Sequence, residues 1–464
     1  MILNNGLFIQ AFVWISLGLC GAVQYFTGVG AVLWLPFLLA CTMVLLLIMQ
    51  TRFRPFSLDA KEQCIFVLLI GLIAIAVIST LLQSGVIVTI VGMKNEIGLV
   101  LITLCLALGF CQESQLYRGI KALYGVFYLQ FPVILYQILV IVPQRVAMKG
   151  DFEKWDSVVG TFGGDPMGGG NSAALGLFCL LIMLLKLSEF KHGVASRTNT
   201  LLHIVAAFAV CVLGEIKFVI LLSPILMVYV WFSPSYVKGM KKFSFKMLLI
   251  ISLGMLLLVG LAIFALASSY SAALGTDPSK GVLEVFIESL SYIFDPNAVL
   301  ENGELGRLTT VFFWLENSGL YGLPSELFGY GLNATNRGSS VAPGFLNIVF
   351  NVLLDSTSLS MMLWELGIIG TLLSVLSFIG IIVVARPKPV LDRSSLDSRD
   401  MRLVSSQPAF IAFAIAGLLS LPYSQLLMLI PTLQFQFYFV LGALLVNRHA
   451  ILANRHALAE RVIS

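Results

Sequence analysis

The sequence predicts an all-α, polytopic integral membrane protein of about 12 transmembrane helices with a long external loop. Three observations predict it. The 464 residues are 58% hydrophobic and 11% charged, with a mean hydropathy of +0.96, beyond what a soluble domain carries. Apolar runs close to the ~20 residues needed to cross a hydrocarbon core recur along the chain. The basic residues fall in blocks between those runs, as orientation signals do. A net charge of +4 is too small to imply a nucleic-acid partner, and none is expected.

Taken in order, the spans fall at 6–27, 30–50, 64–83, 97–110, 120–142, 171–187, 199–214, 216–232, 247–268, 358–384, 409–423 and 425–446. The first lacks a basic leader and a small-residue cleavage site, so it reads as a retained helix. The segment 97–110 is short, and "GVIVTIVG" at 85–92 has the make-up of a re-entrant stretch. With the N-terminus inside, every basic cluster lands on one face: Arg52, Arg54 and Lys61, then Arg118 and Lys121, then Lys191 and Arg197, then Lys238 to Lys246, then Arg386 to Arg402, and the tail from Arg448. Both termini are then cytoplasmic. The chain divides into helices 1–9 over residues 1–268, an external loop at 143–170 within them, a large external loop at 269–357, helices 10–12 over 358–446 and a cytoplasmic tail at 447–464.

A connector as long as 269–357 is usually functional. Its apolar stretches 282–294, 307–320 and 344–354 suit short amphipathic helices at the outer interface. The seven cysteines show no metal or disulfide spacing and read as packing residues.

The apolar run from Leu201 to Phe232 carries two charges, Glu215 and Lys217. One helix of that length would be about 48 Å long, so a hairpin turning at 214–217 is expected. The pair is then either a polar turn or a functional charge at the bilayer boundary, where ionisable groups are expensive.

In the long loop, an Arg (Arg307) leads an amphipathic stretch with a Trp, followed by "GYGL" at 329–332 and an apolar helix containing "LWELGIIG" at 363–370. Ahead of it stand "GTFGGDPMGGGNSAA" before one helix and "GEIKFVILLSP" after a short outer turn. In this order the motifs resemble the O-antigen polymerase and O-antigen ligase superfamily, and within it the exopolysaccharide polymerase branch, over roughly residues 155–380. The resemblance implies a GT-C-like membrane glycosyltransferase of the bacterial inner membrane. It would join oligosaccharides carried on polyprenyl diphosphate at the periplasmic face, as a repeat-unit polymerase. A ligase that passes the glycan to another acceptor is an alternative, and a lipid-linked-sugar flippase a second. A chain-length regulator and a flippase are the partners such an enzyme would have besides the bilayer and its lipid-linked donor and acceptor.

Carried over by motif, the two basic positions that hold diphosphate in the ligases fall on Lys217 and Arg307, and the position of the ligase base, a His, falls near Asp355. The four histidines here, His192, His203, His449 and His456, all lie outside the predicted outer loops. That departure weighs against a ligase and makes a carboxylate the natural replacement.

The residues support such chemistry on their own terms. Sugar transfer from a diphosphate needs cations for the leaving group and one base for the acceptor hydroxyl. Arg307 can grip phosphate bidentately and Lys217 can supply a point charge. Arg337 is either a third such cation or a surface residue. In "GGGNS", Asn171 or Ser172 can cap a helix whose N-terminus attracts anions, or can simply form a turn. Asp355 is either a general base with a raised pKa or the cap of the helix starting near Ser358, with Glu304 and Glu215 in reserve. Trp314 and Tyr330 can stack on sugar rings or sit at a membrane interface. No cofactor and no metal are expected. Replacing Lys217 or Arg307 with Ala is expected to abolish polymer.

Overall fold

The computed structural model describes residues 4–49, 58–150, 157–167, 169–240, 244–274, 290–300, 302–339, 344–393 and 396–463, with single residues at 281, 284, 287 and 341. Most of 282–289 lies outside them, as do Arg52, Arg54, Lys241 and Lys242. The long helices are α1 (Asn5–Thr27), α2 (Gly30–Met49) and α3 (Ala60–Ile97), followed by the short α4 (Val100–Ala107). Next come α5 (Glu113–Lys149) and α6 (Ser172–Lys191), then α7 (Arg197–Leu213) and α8 (Lys217–Phe232). The chain continues with α9 (Phe245–Leu274), α10 (Ser358–Val384), α11 (Ser398–Ser420) and α12 (Pro431–Ile463).

Among the described residues, eight helices are long and apolar enough to cross a membrane, which makes the chain a multi-pass helical membrane protein. The apolar helices α7 and α8 are shorter, at 17 and 16 residues. The sequence-expected span 97–110 contains only the eight-residue α4, about 12 Å of helix. It nevertheless leads from one end of the bundle to the other. Asn95 stands level with Gln24 near the end of α1 in one cavity wall, while the carbonyl of Phe110 accepts from Asn5 at the start of α1. Nearly all of 96–107 is buried, so this passage is wrapped by protein rather than lipid.

Helix α6 is the axis of the bundle. Every side chain from Ala174 to Glu189 is buried, packed against α7, α8 and α11. An apolar helix buried on all sides carries no polar stripe, which is why its pattern reads as uniformly apolar. At one end of the bundle the connections 192–196, 233–240 and 385–397 meet. Lys238 pairs with Asp392 at 3.4 Å, the Tyr236 hydroxyl donates to the Ala385 carbonyl, and Arg448 pairs with Asp59 and Glu62.

The long loop has a small core of its own. Leu305, Trp314, Tyr330, Ala334, Leu346 and Leu354 are buried together with Trp364 of α10; Trp314 and Leu346 lie on the short helices Thr309–Asn317 and Phe345–Phe350, and a third, Leu323–Phe328, leads into Tyr330. Leu320, Tyr321, Leu323, Ile348 and Val349 face outward from it.

Candidate functional site

Two breaks in regular structure position the site. In α10 the backbone at Gly367 turns to φ +67°, a left-handed value that favours glycine. The break exposes the carbonyls of Trp364 and Glu365, which accept from the N–H groups of Tyr330 and Gly331 at 2.8 and 3.0 Å. A Cβ on Gly329 would lie 2.3 Å from the Glu365 backbone, so "GYGL" needs its first glycine for this close approach. The second break is a π-helical turn at Met93–Ile97, the end of α3, of a kind often found at functional sites. It presents Lys94 and Asn95 to a cavity and Glu96 to the loop.

Glu96 and Glu365, both fully buried, hold the loop 329–336. Glu96 accepts from the Asn333 N–H at 3.1 Å, and Glu365 accepts from the N–H and hydroxyl of Thr335 at 2.9 and 2.7 Å. Asn347 carries the order onward, donating to the Thr335 carbonyl and accepting from the Leu354 N–H, one residue before Asp355.

The "GTFGG" segment is likewise tied into the bundle rather than lying outside it. Glutamines from three points on two apolar helices hold its backbone. Gln137 accepts from Val159 and Gly160, Gln130 from Thr161, and Gln24 from Gly164. A Cβ on Gly21 of α1 would meet the Thr161 carbonyl at 2.3 Å. The chain then forms a two-residue antiparallel ribbon, Gly164–Asp165 against Gly169–Gly170, before α6.

Together these elements enclose a cavity of about 830 Å³ at the ends of α1, α3, α6 and α12, within the size range of small-molecule sites. Its charged lining is Lys94, Asp165, Glu304, Arg337 and Asp355, with Asn171, Asn336 and Gln425 among the neutral polar groups. Four residues named from sequence, Asn171, Glu304, Arg337 and Asp355, therefore share one wall although 184 positions separate the first from the last. Asp355 is half-buried. Burial pushes its carboxyl up to about 6, and the charges of Glu304 and Glu365 push the same way, against backbone N–H groups including that of Arg337. It does not cap α10. That position belongs to Thr357, whose hydroxyl accepts from the Ser360 N–H at 3.0 Å.

Other expected roles change. Arg307 is not part of the cavity lining; it braces the wall, donating at 2.7 Å both to Glu304 and to the Ser356 carbonyl. Asn171 precedes α6 without capping it, because its amide donates instead to the Phe162 carbonyl at 2.9 Å. Trp314 and Tyr330 are buried to 6% and 1% exposure in the loop core, so neither offers a face to a sugar. The Tyr330 hydroxyl donates to the Ser318 carbonyl and accepts from the Leu320 N–H. Glu215, at φ +52°, turns the chain from α7 into α8, and Lys217 is the first residue of α8. Neither lines the cavity, although Phe218 next to Lys217 stacks on Tyr423, two residues from Gln425 in the cavity wall.

Sequence reasoning passed over Lys94. It lies beside Asn95, whose side chain it contacts at 2.9 Å, and faces the ring of Trp34, with no carboxylate in ion-pair reach among the described residues. The signal was present: "MKNE" at 93–96 interrupts apolar sequence much as Glu215 and Lys217 do. A cavity lined by two cations and three carboxylates, one of them the half-buried Asp355, has groups that can hold an anionic leaving group and accept a proton beside it. No protein-family model and no curated protein matches this chain.

Proposed function

We propose that the chain is a polysaccharide polymerase that joins oligosaccharide repeat units carried on polyprenyl diphosphate, at the outer face of a bacterial inner membrane. The observation that carries this reading is the shared wall of Lys94, Arg337 and Asp355 in one cavity at the helix ends. Lys94 and Arg337 take the diphosphate, the roles first given to Lys217 and Arg307. The Arg guanidinium suits two phosphate oxygens at once and the ammonium one. Asp355 removes the proton from the acceptor hydroxyl as that oxygen attacks the anomeric carbon; the carbon–oxygen bond to diphosphate breaks and the pair of electrons leaves with the phosphate. A single displacement inverts the anomeric centre. Glu304, held by Arg307, keeps a negative charge beside Asp355 and so favours its uptake of the proton.

The architecture suits a lipid-borne substrate. Exposed Leu320, Tyr321 and Leu323 of the long loop offer an apolar surface for the polyprenyl chain. On this reading α4, α7, α8 and α12 cross the membrane as well as the eight long helices, and with the basic clusters cytoplasmic both termini lie inside and the cavity faces the periplasm.

The test is mass spectrometry of the lipid-linked saccharides that accumulate when the gene is deleted, with a periplasmic glycosidase reporting their side. Single units on the outer face are expected. Full-length lipid-linked polymer would make the protein a ligase, and single units confined to the inner face would make it a flippase.

A further inference from the structure

A second cavity, of about 290 Å³, opens at the other end of the bundle among α5, α6, α7 and α11. Helix α6 links the two. Asn171 just before it lines the upper cavity and Lys186 lines the lower one, about 22 Å further along the axis. Its charged lining is three cations, Lys121, Lys186 and Arg402, and one carboxylate, Glu189.

That carboxylate is committed. One Glu189 oxygen accepts from Lys186 at 2.8 Å and the other from the Tyr124 hydroxyl at 2.8 Å. Lys121 and Arg402 instead converge on Tyr117. The Arg402 guanidinium donates to its hydroxyl at 2.8 Å, and the Lys121 ammonium stands 4.7 Å from its ring centre. Neither cation has a carboxylate in ion-pair reach among the described residues. The Tyr117 hydroxyl, having accepted from Arg402, keeps its own proton to donate. Two cations and one O–H at the mouth of a small concave site match a phosphate group.

The surroundings select the source of that phosphate. Lys121, Tyr128 and Leu135 are spaced seven apart and share one exposed face of α5. On α7, Asn199 of the cavity rim is followed by exposed Leu202 and Val205. The Tyr128 hydroxyl, 2.7 Å from His203, ties the two helices together. An apolar seam thus leads from the cationic mouth toward the membrane interior.

We propose that the phosphate headgroup of an anionic lipid binds this cavity through Lys121, Arg402 and Tyr117, with an acyl chain along the seam between α5 and α7. Anionic lipids are attracted to basic clusters at a membrane surface; here the cations are also held in place by a tyrosine. The site is independent of the transfer chemistry assigned to the upper cavity.

Native mass spectrometry of the full-length protein in detergent tests it, with phosphatidylglycerol, phosphatidylcholine and inorganic phosphate as probes. One phosphatidylglycerol should be retained, at least tenfold better than phosphatidylcholine. The double variant Lys121→Gln, Arg402→Gln should lose that preference. Lys388→Gln, an exposed cation in the 385–397 connection at the same end, should keep it, and Tyr117→Phe, which removes one hydroxyl only, should weaken it. Equal retention of both lipids, or an unchanged preference in a double variant that melts like the parent protein, would overturn the site. Retention of inorganic phosphate without either lipid would overturn the lipid and leave a soluble phosphate ester as the ligand.

Discussion

Asp355 combines a place in the cavity wall with a carboxyl pushed up to about 6. A general base acts only when unprotonated, so transfer should fall as pH drops through about 6 and level off above it. Asp355→Asn should remove that limb and reduce transfer by about 10²–10⁴-fold, the usual contribution of a positioned base, while leaving the protein in the membrane. Initial rates across a pH series check both. Arg307 acts through Glu304 and the Ser356 backbone, so Arg307→Lys should restore part of what Arg307→Ala loses, which loss of a direct bidentate phosphate grip would not allow. Tyr330→Phe should lower the melting temperature through a lost buried hydrogen bond of about 1 kcal/mol, with the Michaelis constant unchanged. The roles of Tyr330 and Trp314 were not legible in sequence, because an aromatic residue that stacks on a sugar and one that fills a core have the same local pattern. Asp355 was legible as a candidate because it is a lone carboxylate between an apolar stretch and a helix start.

The helices themselves were written in the lengths of the apolar runs; their breaks were not. Gly85 and Gly367 interrupt α3 and α10 with left-handed backbone, but a glycine inside an apolar run equally serves close helix packing, so its torsion cannot be read from one sequence. The glutamines were a missed signal. Gln24, Gln130 and Gln137 sit on otherwise apolar helices and had to find partners there; these proved to be the N–H groups of 159–164. Gly21→Ala would drive a methyl into the Thr161 carbonyl. It should lose about 1–3 kcal/mol by overpacking, seen as a lower melting temperature, and should reduce transfer as Asn171 and Asp165 shift. Glu365→Gln should preserve the grip on Thr335 where Glu365→Ala should not, so protease protection of the 329–337 loop should survive the first and fail in the second.

At the scale of the whole molecule, the site exists only because distant segments meet. Lys94 ends α3, Asn171 opens α6, Arg337 and Asp355 come from the long loop, and Gln425 precedes α12. Composition was enough to read a helical membrane protein, since burial in lipid leaves its mark on every span. Assembly of the wall was not readable, since nothing in the order of residues tells which loop folds onto which helix end. Lys217, expected from sequence to be a diphosphate-binding cation, opens α8 and does not line the cavity, whereas Lys94 does. The measurement that tests this account most directly is reconstitution of the purified protein in liposomes with a polyprenyl-diphosphate-linked repeat unit, scored for polymer by gel and mass spectrometry. The account predicts lipid-linked chains of several units from the parent protein and single units only from Asp355→Asn and from Lys94→Gln with Arg337→Gln. Polymer of normal length from either variant, or none from the parent protein with intact donor present, would contradict it.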